Sequence, residues 1–381
     1  MTRGGTRLLL LVGGMVFVDT MFFAALTPLL PDYAEEFNLS KAGAGLLAAA
    51  YPAGALAAGI PGGLATARFG ARPIAVLGLL VIAISTFVFA TADSIWLLDV
   101  SRFAQGVGSA GAWTAGLTWL VSETPSDRRG QTIGSALAAA IVGALFGPVL
   151  GGAAAVVGEP TAFGVAALAA IGLAVWALAM QAPPPTQLQP LSVLVGALRS
   201  ERIALGIWFV ALPALLFGTL SVLAPLRLEV LGFGAVAIGA LWLGTAGLEA
   251  AVNPWIGRIS DRVGRFRPMR VSVLAAAVVT ALLPLPGEAY LLAALVVAAG
   301  LAFGSFWTPA MSLLADEAEH RGLDYAYAFA VINLAWAPGQ ALGASGAGAL
   351  AHLTSDAVPY LLLSATCLLT FALLWRSASS S

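Results

Sequence analysis

The sequence predicts an all-α membrane protein of twelve transmembrane helices in two pseudo-symmetric six-helix bundles. Three observations carry that expectation. Of the 381 residues, 60% are hydrophobic and 10% charged, whereas a soluble domain carries about 25% charged residues. A window of roughly 20 residues separates twelve apolar runs along the chain. One short pattern also occurs twice, 194 residues apart: Gly63-Leu64-Ala65-Thr66-Ala67-Arg68-Phe69-Gly70-Ala71-Arg72-Pro73, then Gly257-Arg258-Ile259-Ser260-Asp261-Arg262-Val263-Gly264-Arg265-Phe266-Arg267-Pro268. Each copy sits in a tight turn between two apolar runs, as in a duplicated helical bundle.

The first span, 8–30, follows Arg3 and Arg7. It is too long for a signal-peptide core and reads as a retained helix. Asp19 falls near its midpoint, about 16 Å from its start at 1.5 Å per residue. Span 42–65 runs into the first copy of the turn, whose Gly63, Gly70 and Arg72 precede span 74–91. Span 95–121 carries Arg102-Phe103-Ala104-Gln105-Gly106-Val107-Gly108. A central guanidinium costs about 2.5–3.5 kcal/mol on insertion scales and needs a partner. Asp99, three residues earlier, shares its helix face. Two readings stand: an Asp99–Arg102 pair that fixes the helix, or an Arg102 that couples proton movement to a change of shape. Val296 occupies the position 194 residues after Arg102, so the arginine is not a product of the repeat.

Span 131–157 holds Gly134, Gly143, Gly147-Pro148 and Gly151-Gly152. Gly143, Gly147 and Gly151 recur every fourth residue and form a smooth stripe that another helix can approach closely. Pro148 removes a backbone donor and permits a bend. After span 161–181 comes a connection, 182–202, with Pro183-Pro184-Pro185 and Pro190. It divides an N-terminal bundle, 1–181, from a C-terminal bundle, 203–381. Spans 203–226 and 236–257 follow, the latter with Glu249, and lead into the second turn with Gly257, Asp261, Arg262 and Gly264. The remaining spans are 269–286, 289–315, 325–350 and 359–375. Placing both termini in the cytoplasm puts fifteen of the 18 basic residues on that side, as the positive-inside rule requires. Lys41 and Arg227 face outward.

Other function classes fall away on composition. Net charge is −1, and no basic stripe marks a nucleic-acid surface. Cys367 is the sole cysteine, so no internal disulfide forms. The two histidines, His320 and His352, fall in loops, so no metal cluster is expected. Lys41 is the only lysine and lies outside any phosphate-binding loop, which leaves no motif for ATP drive. No cofactor is expected, and a proton gradient is the energy source.

These motifs together resemble the major facilitator superfamily over essentially the whole chain. The repeated turn is similar to that family's loop between helices two and three, and again between eight and nine. There the resemblance implies a charge network around an Asp. Asp261 supplies it in the second copy, whereas Ala67 stands in its place in the first. The segment from Arg102 resembles the fourth-helix motif, and the fifth-span pattern resembles the motif associated with proton-coupled exporters. Asp19-Thr20-Met21 with Pro28-Leu29-Leu30-Pro31-Asp32-Tyr33 resembles the first helix of vesicular monoamine transporters, which implies recognition of a protonated amine by Asp19. Tyr51 departs from a lysine of those relatives, and Gly304 and Asn333 depart from acidic residues.

Trp113, Thr114, Trp307, Thr308, Asn333, Trp336 and Gln340 lie in spans four, ten and eleven, which line the cavity in this family. Aromatic faces can hold an organic cation. The resemblance implies substrate binding by Asp19, with Trp113, Trp307, Asn333 and Trp336 as cavity-lining candidates, while carboxylates and a guanidinium inside spans point to Asp19, Glu249 and Arg102 for proton coupling. Either carboxylate could instead be a structural group bonded to Tyr, Trp or backbone. The expectation is a secondary active transporter: a proton-coupled antiporter that exports small cationic or amphipathic organic compounds. It would act as a multi-pass monomer in the lipid bilayer of a bacterial cytoplasmic membrane. A proton-coupled importer of a sugar or organic acid is the alternative.

Overall fold

The computed structural model describes residues 3–125, 128–184, 189–264 and 266–379. The surroundings of Gly257 and the side chain of Asp261, among others, lie outside what is described. Every regular element described is helical. The N-terminal group comprises α1 (Arg3–Glu36), α2 (Lys41–Phe69), α3 (Ala71–Ala90), α4 (Ile95–Ser122), α5 (Arg129–Val157) and α6 (Glu159–Ala179). A short α7 (Leu191–Leu198) follows in the connection. The C-terminal group comprises α8 (Glu201–Val230), α9 (Ala235–Val263), α10 (Phe266–Leu282), α11 (Ala289–His320), α12 (Tyr325–Leu353) and α13 (Ala357–Ser379).

Among the described residues, twelve long helices stand where twelve spans are expected, most of them running past the apolar limits at one or both ends. Among the described residues, nine are long and apolar enough to cross a membrane by length and composition. The other three are α4, α10 and α12. Helix α10 has only 17 residues, while α4 and α12 are diluted by inward polar groups such as Arg102, Gln105, Asn333 and Gln340. Helix α7 was not anticipated. Its run Leu191-Ser192-Val193-Leu194 begins just after Pro190 and buries Leu194 and Ala197, so an apolar face lies down where composition alone read as linker.

Local chemistry sets the ends. Ser40 caps α2 by accepting from the Gly43 N–H at 3.2 Å, and Asp324 caps α12 by accepting from Tyr327 N–H at 2.9 Å. Helices α2 and α9 end at Gly70 and Gly264, with φ of 92° and 83°. These are equivalent positions of the repeated turn. Both need the left-handed region that glycine enters without Cβ strain.

The packing repeats with the sequence. In the N-terminal group α1 lies on α5, α2 and α3 lie on α4, and α3 lies on α6. In the C-terminal group α8 lies on α12, α9 and α10 lie on α11, and α10 lies on α13. The two groups meet along α2–α12 and α5–α9, which the same symmetry exchanges. At the end remote from the termini this seam is shut. A Cβ on Gly45 would stand 2.6 Å from the Ala344 carbonyl, and Gly348 faces the Lys41 carbonyl. Lys41 and Asp356 form an ion pair across it.

Candidate functional site

Helix α4 builds one wall of the site because its polar residues fall on one face: Arg102, Gln105, Ser109 and Trp113 follow at steps of three, four and four, close to helical period. Opposite them α1 presents Asp19, 2% exposed, and α2 presents Tyr51, 3% exposed. The Asp19 carboxylate accepts from Trp113 Nε1–H at 2.6 Å and from Ser109 Oγ–H at 2.8 Å. The Tyr51 hydroxyl lies 2.9 Å from both carboxylate oxygens and 2.7 Å from Ser109 Oγ. Such a ring of donors can satisfy a buried carboxylate, because each bond to an ionised group is strong.

Arg102 is equally buried, at 2% exposed. Its guanidinium donates to the Phe22 carbonyl at 3.1 Å, the Gln105 amide oxygen at 2.9 Å and the Phe23 carbonyl at 3.2 Å. Gln105 in turn donates to Thr86 at 3.0 Å. Of the two readings of Arg102, the pair with Asp99 is not formed: the guanidinium is taken up by α1 carbonyls, and Asp99 Oδ1 is buried without a partner among the described residues. Nor does Arg102 pair directly with Asp19. The Tyr51 ring stands between them, with the guanidinium carbon 5.2 Å from its centroid.

The cluster reaches the other half through rings. Phe23 packs on Tyr51 at 5.0 Å and edge-on against Trp336 of α12 at 5.5 Å. Asn333, one turn earlier on α12, packs against Gly59 of α2. Trp307 lies on α11 against the apolar core and is not among the partners of Asp19. Thr308 has its side chain outside the described residues.

Glu249 lies on α9 in a separate place. Its carboxylate seats in the notch left by Gly304 of α11, and Thr245, one turn earlier, fills the notch at Gly300. The Asn253 amide hydrogen-bonds to it, while Asn253 Oδ1 is buried with no partner among the described residues. Among the described residues no group of His, Cys, Asp and Glu side chains could hold a metal ion.

The glycine stripe of α5 meets α1, the helix that carries Asp19. Gly143 faces the Phe17 carbonyl and Thr20, Gly147 faces Ala24, and Gly151 faces Ala25 and Pro28. Thr20 bridges the two helices by donating to the Ala140 carbonyl at 2.9 Å. Pro148 lies on the α5–α9 contact, where its carbonyl faces Gly239. At the repeated turns, Arg72 donates to the Met180 carbonyl at the end of α6 at 3.2 Å, so the first copy anchors α6 without an Asp at Ala67. Arg262 is exposed. Gly63 is buried in α2. The expected Asp261 network falls on a side chain outside the described residues.

Sequence reasoning missed Ser109 and Gln105 as site groups and saw Tyr51 only as a departure from relatives. The three-four-four step on α4 was the available signal for the first two. Gly304 likewise read only as a missing acid, and the structure shows it as the notch for Glu249.

A family profile described as Major Facilitator Superfamily matches residues 12–344. The chain is 34% identical over 142 residues to the MFS-type transporter ppzB of Metarhizium rileyi, covering 36% of this chain and 29% of that one. It is 29% identical over 138 residues to the quinolone resistance protein NorA of Staphylococcus aureus, covering 36% and 35% respectively. The matches thus span about a third of the length of these curated relatives. Among solved structures, a bacterial homolog of the human lysosomal transporter Spinster, inward-facing and occupied, superposes with a TM-score of 0.81 at 17% identity over 100% of this chain and 98% of that one. A D-xylose-proton symporter superposes with a TM-score of 0.77 at 15% identity over 98% and 97%. At these identities the superpositions establish a shared fold.

Proposed function

Because the chain belongs to the Major Facilitator Superfamily, we propose that it is a proton-coupled antiporter that exports small cationic or amphipathic organic compounds. The observation that carries this reading is the Asp19 cluster: one buried carboxylate, held among the described residues by the donors Tyr51, Ser109 and Trp113, with Phe23 and Trp336 stacked in turn beyond the Tyr51 ring. A carboxylate in apolar surroundings favours an occupant that neutralises it, either a proton or an organic cation. Aromatic faces around it add attraction for the cation. Competition between the two occupants makes exchange obligatory, and the two helix groups rock about the seam to expose the site to each side in turn. Glu249 is the second proton-carrying carboxylate, in the C-terminal half. The resemblance of the α5 stripe to exporter helices, and the partial match to NorA, support export over import. The arginine distribution supports a cytoplasmic side for the end bearing the termini.

The test is efflux of ethidium from an efflux-deficient bacterial host that expresses the chain. The reading expects efflux that stops within minutes of adding a proton uncoupler. Efflux indifferent to the uncoupler, or energised uptake of a sugar or organic acid in its place, would overturn it.

A further inference from the structure

Among the described residues, every partner of the Asp19 carboxylate belongs to the N-terminal half: Tyr51 on α2, Ser109 and Trp113 on α4. For occupancy of Asp19 to move the other half, some contact must carry the change across the seam. Tyr51 has the necessary second attachment. Its ring packs on Phe23 at 5.0 Å with planes 42° apart, and Phe23 packs edge-on at 5.5 Å and 74° against Trp336 of α12. Resting on the reading of Asp19 as the exchange site, we propose that Tyr51 is a positioning residue that relays the state of Asp19 to α12 through the rings of Phe23 and Trp336.

The local geometry makes the ring rather than the backbone the moving part. The Phe22 and Phe23 carbonyls are pinned by Arg102 at 3.1 and 3.2 Å, so the α1 backbone is held here and rearrangement falls to the Phe23 ring and its two ring partners. Arg102 also lies over the Tyr51 ring. While Asp19 is ionised, the Tyr51 hydroxyl has a charged acceptor and its ring is fixed from both ends. A proton on Asp19 removes that charge, and an arriving cation competes for the same oxygens. Either event weakens the charge-assisted bond and leaves Tyr51 with Ser109 as its polar partner. The ring can then pivot, and the edge contact from Phe23 to Trp336 changes with it. Packed rings favour discrete arrangements over continuous deformation. Among the described residues, the titratable and charged groups acting on Asp19 are Tyr51 from α2 and Arg102 from α4.

The experiment uses the full chain in lipid nanodiscs with pH as the only probe. Spin labels at Glu123 and His320, exposed positions at the termini end of α4 and α11, report separation of the halves in a Cys367→Ser background. The carboxylic-acid infrared band lost in Asp19→Asn reports protonation of Asp19. Between pH 5 and 9 the parent is expected to shift its ratio of label distances by about tenfold, within the ordinary range of coupling between sites. Phe23→Leu and Tyr51→Phe should each reduce that shift to less than about threefold while the Asp19 band still appears. Phe23→Tyr, which keeps a ring, should retain the parental shift. A parental shift in both Phe23→Leu and Tyr51→Phe would overturn the relay and leave Asp19 as the exchange site. A parental shift in Asp19→Asn would overturn the Asp19 reading itself, and the relay with it.

Discussion

Asp19 stands out in the sequence because a lone carboxylate at mid-helix has few other uses in an apolar span, and the structure surrounds it with donors from α2 and α4. Its partners were less legible, since hydrogen bonds between α1, α2 and α4 depend on which faces meet, and single-helix periodicity does not state that. The same limit explains Arg102. Its neighbour in sequence, Asp99, is one candidate counter-charge, yet the guanidinium reaches across to the Phe22 and Phe23 carbonyls and leaves Asp99 aside. Asp19→Asn keeps the size and removes the charge. Loss of one hydrogen-bonded charge is worth about 1.5–3 kcal/mol, so transport of a cationic probe should fall about tenfold or more with expression near the parent's. Transport at the parental rate would remove Asp19 as the recognition charge. Glu249→Gln should impair proton-driven export more than binding of the cation, because a fixed neutral amide cannot release a proton. Unchanged cation-induced proton release in detergent would make Glu249 structural.

At the scale of elements, the α5 stripe was readable as a close-approach face, but its partner was not. The structure assigns it to α1, with Gly143, Gly147 and Gly151 against Phe17, Ala24 and Ala25. The stripe therefore holds the Asp19 helix at backbone contact. A side chain at Gly147 must push α1 away, whereas a side chain at Gly172 of α6 meets open space. Gly147→Leu should nearly abolish transport and Gly172→Leu should be mild, with membrane insertion of both checked by surface labelling. Equal behaviour of the two would deny the stripe a special role. The repeated turn shows the opposite balance of legibility. Its glycines were read as turn-formers, and Gly70 and Gly264 do carry positive φ. The first copy has Ala67 where the latch Asp is expected, yet Arg72 makes an anchor to the Met180 carbonyl that no motif spacing could announce.

For the whole molecule, twelve long helices followed from hydropathy and the duplication from one repeated turn. Helix α7 did not, because eight residues after a proline carry too little pattern to stand out. Which pairs of helices form the seam was also beyond the sequence, since α2, α5, α9 and α12 differ little from their neighbours in apolar content. The seam is shut at the end remote from the termini by the approach of Gly45 and Gly348 and by the Lys41–Asp356 pair. Lys41→Ala should release that end, and labels on the outer ends of α2 and α12 should show a larger separated population than in the parent. An unchanged distribution would reduce the pair to a surface contact of little weight.

The central claim is exchange of a proton for an organic cation, and one measurement addresses it directly. Purified protein is reconstituted into liposomes with the membrane potential clamped at zero by potassium and valinomycin, and labelled tetraphenylphosphonium is added outside. An acidic lumen should drive accumulation of the cation, accompanied by a rise in lumenal pH, because each entering cation requires a departing proton. Accumulation with an acidic exterior instead, or uptake that ignores the pH gradient, would contradict antiport.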